Sequence, residues 1–178
     1  MMTLAAGPFA IAALLLAVGG ASKARHPADT ANAVRAAGLP GTPALVRVGG
    51  GAEAAVGVAA LVAGDRATAI LVAVSYAVFA LFVGVALRRG TPLASCGCFG
   101  KADTPPTVLH AVLNLGAVAA AVAVALDPGA GLGDVVGTQP LAGVPYLALV
   151  GCGAGFAYLA LSSLPQLLLL VHPREGSA

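Results

Sequence analysis

Residues 67–87 read ATAILVAVSYAVFALFVGVAL, and this stretch decides how the whole chain is understood. It contains no charged residue and no proline. Wound as a helix at 1.5 Å per residue it is about 30 Å long, the thickness of a bilayer's hydrocarbon core. It is also bounded as a membrane helix should be, by Gly64-Asp65-Arg66 before it and Arg88-Arg89-Gly90 after it. Working outward, further predominantly apolar runs occupy residues 4–21, 43–62, 107–126 and 144–171. Five such runs predict an all-α, polytopic membrane helix bundle.

Composition agrees. Of 178 residues, 59% are hydrophobic and 9% charged, and the mean hydropathy is +0.96. Soluble domains carry roughly 25% charge and 45–50% apolar residues, so too little polar surface remains here to cover a water-soluble core. The apolar excess excludes disorder, and a net charge of +2 without a basic cluster excludes nucleic-acid binding. Residues 4–21 are read as a retained helix rather than a cleaved signal, because no positive residue precedes them. Residues 28–38 read as a short interfacial helix or a structured loop, closed by Gly38 and Pro40. Pro165 is expected to kink the fifth span. The charge count sets an orientation. Lys23, Arg25, Arg35, Arg47, Arg88, Arg89, Lys101 and Arg174 fall on one side of the membrane and Arg66 on the other. The positive-inside rule then puts the segment between the third and fourth spans in the cytoplasm.

That segment carries the chemistry. Cys96 and Cys98 flank a glycine in Ser95-Cys96-Gly97-Cys98-Phe99-Gly100. At this spacing the Cα atoms can enter the roughly 4.4–6.8 Å disulfide window, at the cost of a strained small ring. Strain makes a disulfide easy to exchange, which suits a relay rather than a staple. A pair of plain thiols in a tight loop is the structural alternative; a metal site built from Cys96, Cys98 and His110 lacks a fourth ligand. Glu53 lies near the middle of the second span, where a charge is costly and usually functional. It shares a small-residue face with Gly49 and Gly57, and it is expected to point inward, uncharged, with no cation at its depth. His110 and Asn114 sit one turn apart on the fourth span, and Tyr76 lies midway along the third. Together they suggest a polar pocket beneath the cysteine segment. Lys23 ends the first span on the same face; snorkelling to the surface is its default, and pairing with an acidic headgroup, with Glu53 or with a thiolate the alternative. Cys152, between two glycines in the fifth span, reads as buried packing.

These features resemble the MauE/DoxX family of small bacterial membrane proteins, the MauE branch in particular. The resemblance rests on Gly20-Ala21-Ser22-Lys23 closing the first helix and on Glu53 in a glycine-rich second helix. Cys96-Gly97-Cys98-Phe99-Gly100 and Asn114 complete it. It covers residues 4–126 and implies a four-helix core over 1–126, a loop over 127–143 and an added C-terminal helix and tail over 144–178. It also implies a redox-associated role in the bacterial plasma membrane: thiol–disulfide exchange through Cys96 and Cys98 with a thioredoxin-like partner. The client would be a disulfide-containing subunit such as that of methylamine dehydrogenase. The arrangement is similar to that of DsbB and vitamin K epoxide reductase, which pass electrons from thiols to a quinone, although this chain lacks their second cysteine pair. The reading from a different class is a non-enzymatic assembly factor, or a transport factor that binds a small ligand or metal.

Overall fold

The computed structural model describes residues 5–36, 38–89, 107–129, 137 and 140–162. These form six helices: α1 (Ala6–Arg25), α2 (Pro27–Ala36), α3 (Pro43–Ala63), α4 (Arg66–Arg89), α5 (Val108–Leu126) and α6 (Pro140–Ser162). There is no strand among the described residues. All but α2 contain a run long and apolar enough to cross a bilayer. Local signals in the sequence set the ends. Thr42 caps α3 by accepting from Leu45 N–H at 3.2 Å, and Pro43 takes the first helical position, where a missing N–H costs nothing. Gly64 stops α3 at φ +60°, a conformation that a side chain would disfavour. Asp65 then caps α4, its Oδ1 accepting from the N–H of Thr68 at 2.8 Å and from its hydroxyl at 2.7 Å.

α1 is the central helix. It packs on α3, α5 and α6 and touches α4, while α4 and α5 form a second close pair. Its inward residues are Phe9, Ala12, Ala13 and Leu16, which meet Ala60 of α3, Ala69, Val72 and Tyr76 of α4, and Ala120, Ala121 and Val124 of α5. The outer faces are apolar too: Val48, Leu81 and Phe156 are each more than two-thirds exposed. Such a surface is at home in lipid and not in water. Two arginines tie helix ends across the bundle. Arg47 donates to Ala24 O of α1 at 3.3 Å, and Arg66 donates to Ala125 O of α5 at 2.8 Å. Both place a cation on the electronegative end of a helix, where free carbonyls need donors. They also fix the helices as antiparallel neighbours, with Arg47 and Arg66 at opposite ends of α3 and α4.

The closest contact lies between α1 and α3. A Cβ on Gly57 would stand 2.5 Å from Ala17 N and 2.6 Å from Ala13 O, and one on Gly50 would stand 2.7 Å from Gly20 O. Only glycine lets these backbones meet. The small-residue face of α3 is therefore Gly50, Glu53 and Gly57; Gly49, assigned to it from four-residue spacing, points away with nothing near its Cα hydrogen. Three further expectations shift. The last helix begins at Pro140 rather than at residue 144 and has Pro145 inside it, whereas Pro165 lies outside the described residues. α2 runs over Pro27–Ala36, close to the interfacial helix expected over 28–38. Cys152 is exposed on the outer face of α6, not buried, because Val150 and Ala154 are the residues that turn inward there.

Two outcomes follow from this packing. Gly57→Val should force α1 and α3 apart and lower unfolding stability in detergent micelles by about 1–3 kcal/mol. Gly51→Val on the outward face of the same helix, where nothing lies within 4 Å, should be tolerated. At the α3–α4 turn, the hydroxyl and N–H of Thr68 hold the Asp65 carboxyl below the usual carboxylate range. A lowered native value stabilises the fold above the unfolded value of about pH 4, and the benefit fades as the pH falls through the native value. The gap in melting temperature between wild type and Asp65→Ala should thus be full at neutral pH and shrink below about pH 4.

Candidate functional site

Glu53 projects from the middle of α3 toward α1, and the glycine contact determines what it meets there. With Gly20 of α1 against Gly50 and Ala54 of α3, the next inward turn of α1 delivers Lys23 to the carboxylate. Lys23 Nζ and Glu53 Oε2 form a salt bridge. The Lys23 side chain is 7% exposed and that of Glu53 21%. The ammonium also lies 4.3 Å from the centroid of the Phe79 ring, whose π face attracts a cation. Phe79 in turn meets Tyr76 edge to face at 5.7 Å.

Two expectations are corrected here. Lys23 does not snorkel, and Glu53 is not without a cation at its depth. The end of α1 sits about one turn deeper than the start of α3, as the Arg47–Ala24 contact shows. The chain then turns at His26 into α2 instead of continuing to the surface. A lysine two residues from a helix end thereby becomes an interior residue.

The pair forms part of the wall of a cavity of about 470 Å³. Tyr76, His110 and Asn114 line the same cavity, so the structure brings all five polar candidates onto one space. Tyr76 is anchored: its hydroxyl donates to Ala12 O at 2.7 Å, in the buried core. His110 is 1% exposed and sits on the first turn of α5. Its Nδ1 is approached by the N–H of Thr107 at 3.3 Å and by the Thr107 hydroxyl at 2.9 Å. A backbone N–H can only donate, so Nδ1 is an acceptor and the ring proton resides on Nε2. That Nε2 is buried and has no hydrogen-bond partner among the described residues. The same holds for Nδ2 of Asn114, a residue 6% exposed.

A second cavity, about 280 Å³, lies on the other side of the Lys23–Glu53 pair, beneath α2. The salt bridge and Phe79 stand between the two spaces. Cys96 and Cys98 lie outside the described residues. The segment that carries them joins Arg89 of α4 to Thr107 before α5. Both of these helix ends lie toward the Lys23 and His110 end of the bundle, since Phe79 of α4 stands level with Lys23 and ten residues follow it. No group of three His, Cys, Asp or Glu side chains suited to a metal occurs among the described residues.

Sequence reasoning missed three residues that shape this site. Phe79 was legible only as another apolar residue, although it sits one turn after Tyr76. Thr107 carries a helix-start signal, with His110 taking the third position that glutamate or glutamine fills in an ordinary capping box. Gly50 was hidden among three consecutive glycines, of which the fold uses one for contact with α1.

Breaking the ion pair from one side strands a buried charge. Lys23→Met alone should cost on the order of 3–5 kcal/mol of unfolding stability, and the double variant Lys23→Met/Glu53→Gln should recover most of it. A double-mutant cycle on the full chain in micelles measures both. A loss in the double variant equal to the sum of the Lys23→Met and Glu53→Gln losses would show that the pair is not coupled.

Over residues 1–127 the chain matches the family described as Methylamine utilisation protein MauE. Comparison with curated proteins and with solved structures finds no match. The matched stretch ends one residue past α5, so it takes in the first four candidate spans, the Cys-x-Cys segment and every polar residue of the cavity, and leaves α6 outside. Five bilayer-length helices around a buried ion pair, matched over most of their length to one family, make this chain a multi-pass membrane protein that belongs to the MauE family.

Proposed function

We propose that this protein is a thiol–disulfide exchange component of the bacterial plasma membrane, working through Cys96 and Cys98 with a thioredoxin-like partner. The observation that carries the reading is the Cys-x-Cys pair in a chain of this family, in a segment that connects two helix ends at the polar end of the bundle. One thiolate attacks a sulfur of the partner's disulfide and forms a mixed disulfide. The second thiol then displaces the partner. The pair ends as a disulfide and the partner as a dithiol, with two electrons and two protons transferred. Run in reverse, the same steps oxidise the partner. The nearby cations Arg88, Arg89 and Lys101 would favour the thiolate form that attacks. The client fits the family description: a disulfide-containing enzyme subunit of methylamine utilisation, such as that of methylamine dehydrogenase.

Sidedness decides the direction. Eight of the nine Lys and Arg residues lie on the side of the cysteine segment, which favours a cytoplasmic pair kept as a dithiol and acting as reductant. The second reading, a non-enzymatic factor that binds a small ligand, is favoured by the cavity and its two unpaired donors.

The test is labelling in a Cys152→Ser background, since the exposed Cys152 would otherwise confuse it. A membrane-impermeant maleimide on intact, reductant-treated cells should leave Cys96 and Cys98 unlabelled, and lysis should expose both. Labelling before lysis would overturn the inward assignment and make the pair an oxidant. A Cys98→Ser or Cys96→Ser variant should accumulate a mixed disulfide with a thioredoxin-like protein, visible as a reductant-sensitive band. No such band from either variant would leave the ligand-binding reading in its place.

A further inference from the structure

The cavity that gathers the five polar residues is much longer than they need. Its wall follows α1 from Lys23 past Gly19 and Leu15 to Pro8, about 22 Å of helix. Its volume of about 470 Å³ falls within the roughly 300–1,000 Å³ of small-molecule sites. Its chemistry is divided. Lys23, Glu53, His110 and Asn114 lie toward one end, whereas the other end is lined by apolar side chains such as Pro8 and Ile11. Val112 is 57% exposed and also lines the space, so the cavity reaches the outer, lipid-facing surface of α5.

Two features of the polar end specify a ligand. First, His110 Nε2 and Asn114 Nδ2 are buried donors without partners among the described residues. Buried donors are normally satisfied, and leaving one unmade costs free energy. The two residues are four apart on α5, which sets their side chains side by side at about 5–6 Å, close enough for both to reach one oxygen. Second, the polar end carries no surplus charge. Lys23 is balanced by Glu53, and the Nδ1 lone pair of His110 is taken up by Thr107. A phosphate or carboxylate would enter without a counter-charge of its own, which a low-dielectric site penalises. A neutral oxygen acceptor fits.

We propose that this cavity binds a neutral membrane amphiphile with its apolar body along α1 and a carbonyl oxygen accepting from His110 Nε2–H and Asn114 Nδ2–H. That chemistry has two sources in a membrane, the ring carbonyl of a quinone and the ester carbonyl of an uncharged glycerolipid. The inference rests on the cavity and not on the cysteines. Its test reads equilibrium binding, so failure of the thiol reading leaves it intact.

The full-length protein in detergent micelles is titrated separately with decylubiquinone, dioleoylglycerol and dioleoyl phosphatidic acid, following melting temperature and native mass. One of the two neutral probes should bind and raise the melting temperature. Saturation by decylubiquinone assigns the quinone source, and saturation by dioleoylglycerol the lipid source. Asn114→Leu and His110→Phe should each weaken that binding about tenfold, the loss of roughly one hydrogen bond. Ala157→Phe, which fills the apolar part from α6 and leaves the donors in place, should weaken it as well, so the test survives if a polar variant fails to fold. No binding of either neutral probe, tighter binding of phosphatidic acid, or full binding by Ala157→Phe would each overturn the proposal.

Discussion

Where α1 crosses α3, a Cβ on Gly20 would stand 2.5 Å from Ala54 N and 2.6 Å from Gly50 O, so the two backbones lie against each other without side chains between them. In lipid there is little hydrophobic drive to bring helices together, and close van der Waals packing of small residues takes over that role. The contact continues one and two turns further, at Gly57 against Ala13 and Ala17. It fixes the axial register of α1 against α3. That register sets the depth of Lys23, and the depth of Lys23 determines whether Glu53 has a partner. A shift of α1 by one turn, about 5.4 Å, would separate the two charges and leave both in a medium that solvates neither.

A lone ammonium or carboxylate inside a membrane is expensive, and proteins that keep one there generally use it. Here the cost is offset two ways: by the ion pair itself and by the Phe79 ring under the ammonium. A buried salt bridge of this kind is a weak source of stability compared with apolar side chains of the same volume. Its presence points instead to the spaces on either side of it. One is the long cavity along α1, the other the smaller one beneath α2, and the pair with Phe79 forms the partition. α2 contributes by its position: it turns away from α1 at His26 and lies over α3, with Gly41 letting the following loop close onto Ala31.

Among the described residues α6 is bound to the rest of the bundle chiefly through α1, and it lies outside the stretch that matches the family. Even so, Gly153, Ala157 and Leu161 complete the wall of the long cavity. α6 therefore encloses one side of the long cavity. It supplies environment rather than chemistry, because the polar groups all belong to α1, α3, α4 and α5.

The amino-acid sequence determined the class of fold, because bilayer thickness and backbone hydrogen bonding leave one solution for five apolar runs of this length. It determined most helix ends as well, through Thr42-Pro43, Gly64-Asp65 and Thr107, since caps are local. It also named the polar residues of the cavity, for polar side chains are conspicuous in so apolar a chain. What it did not contain was register. Four-residue spacing put Gly49 with Glu53, and helix length put Lys23 at the surface; both errors come from treating each helix as a separate rod. Only the tertiary structure decided that Gly50 is the glycine against α1, that α1 ends a turn deeper than α3 begins, and that His110 and Asn114 turn unpaired donors onto the space beside the ion pair. The physical reason is that local signals fix where a helix starts and stops, whereas axial offset and rotation are set by which side chains allow two backbones to touch.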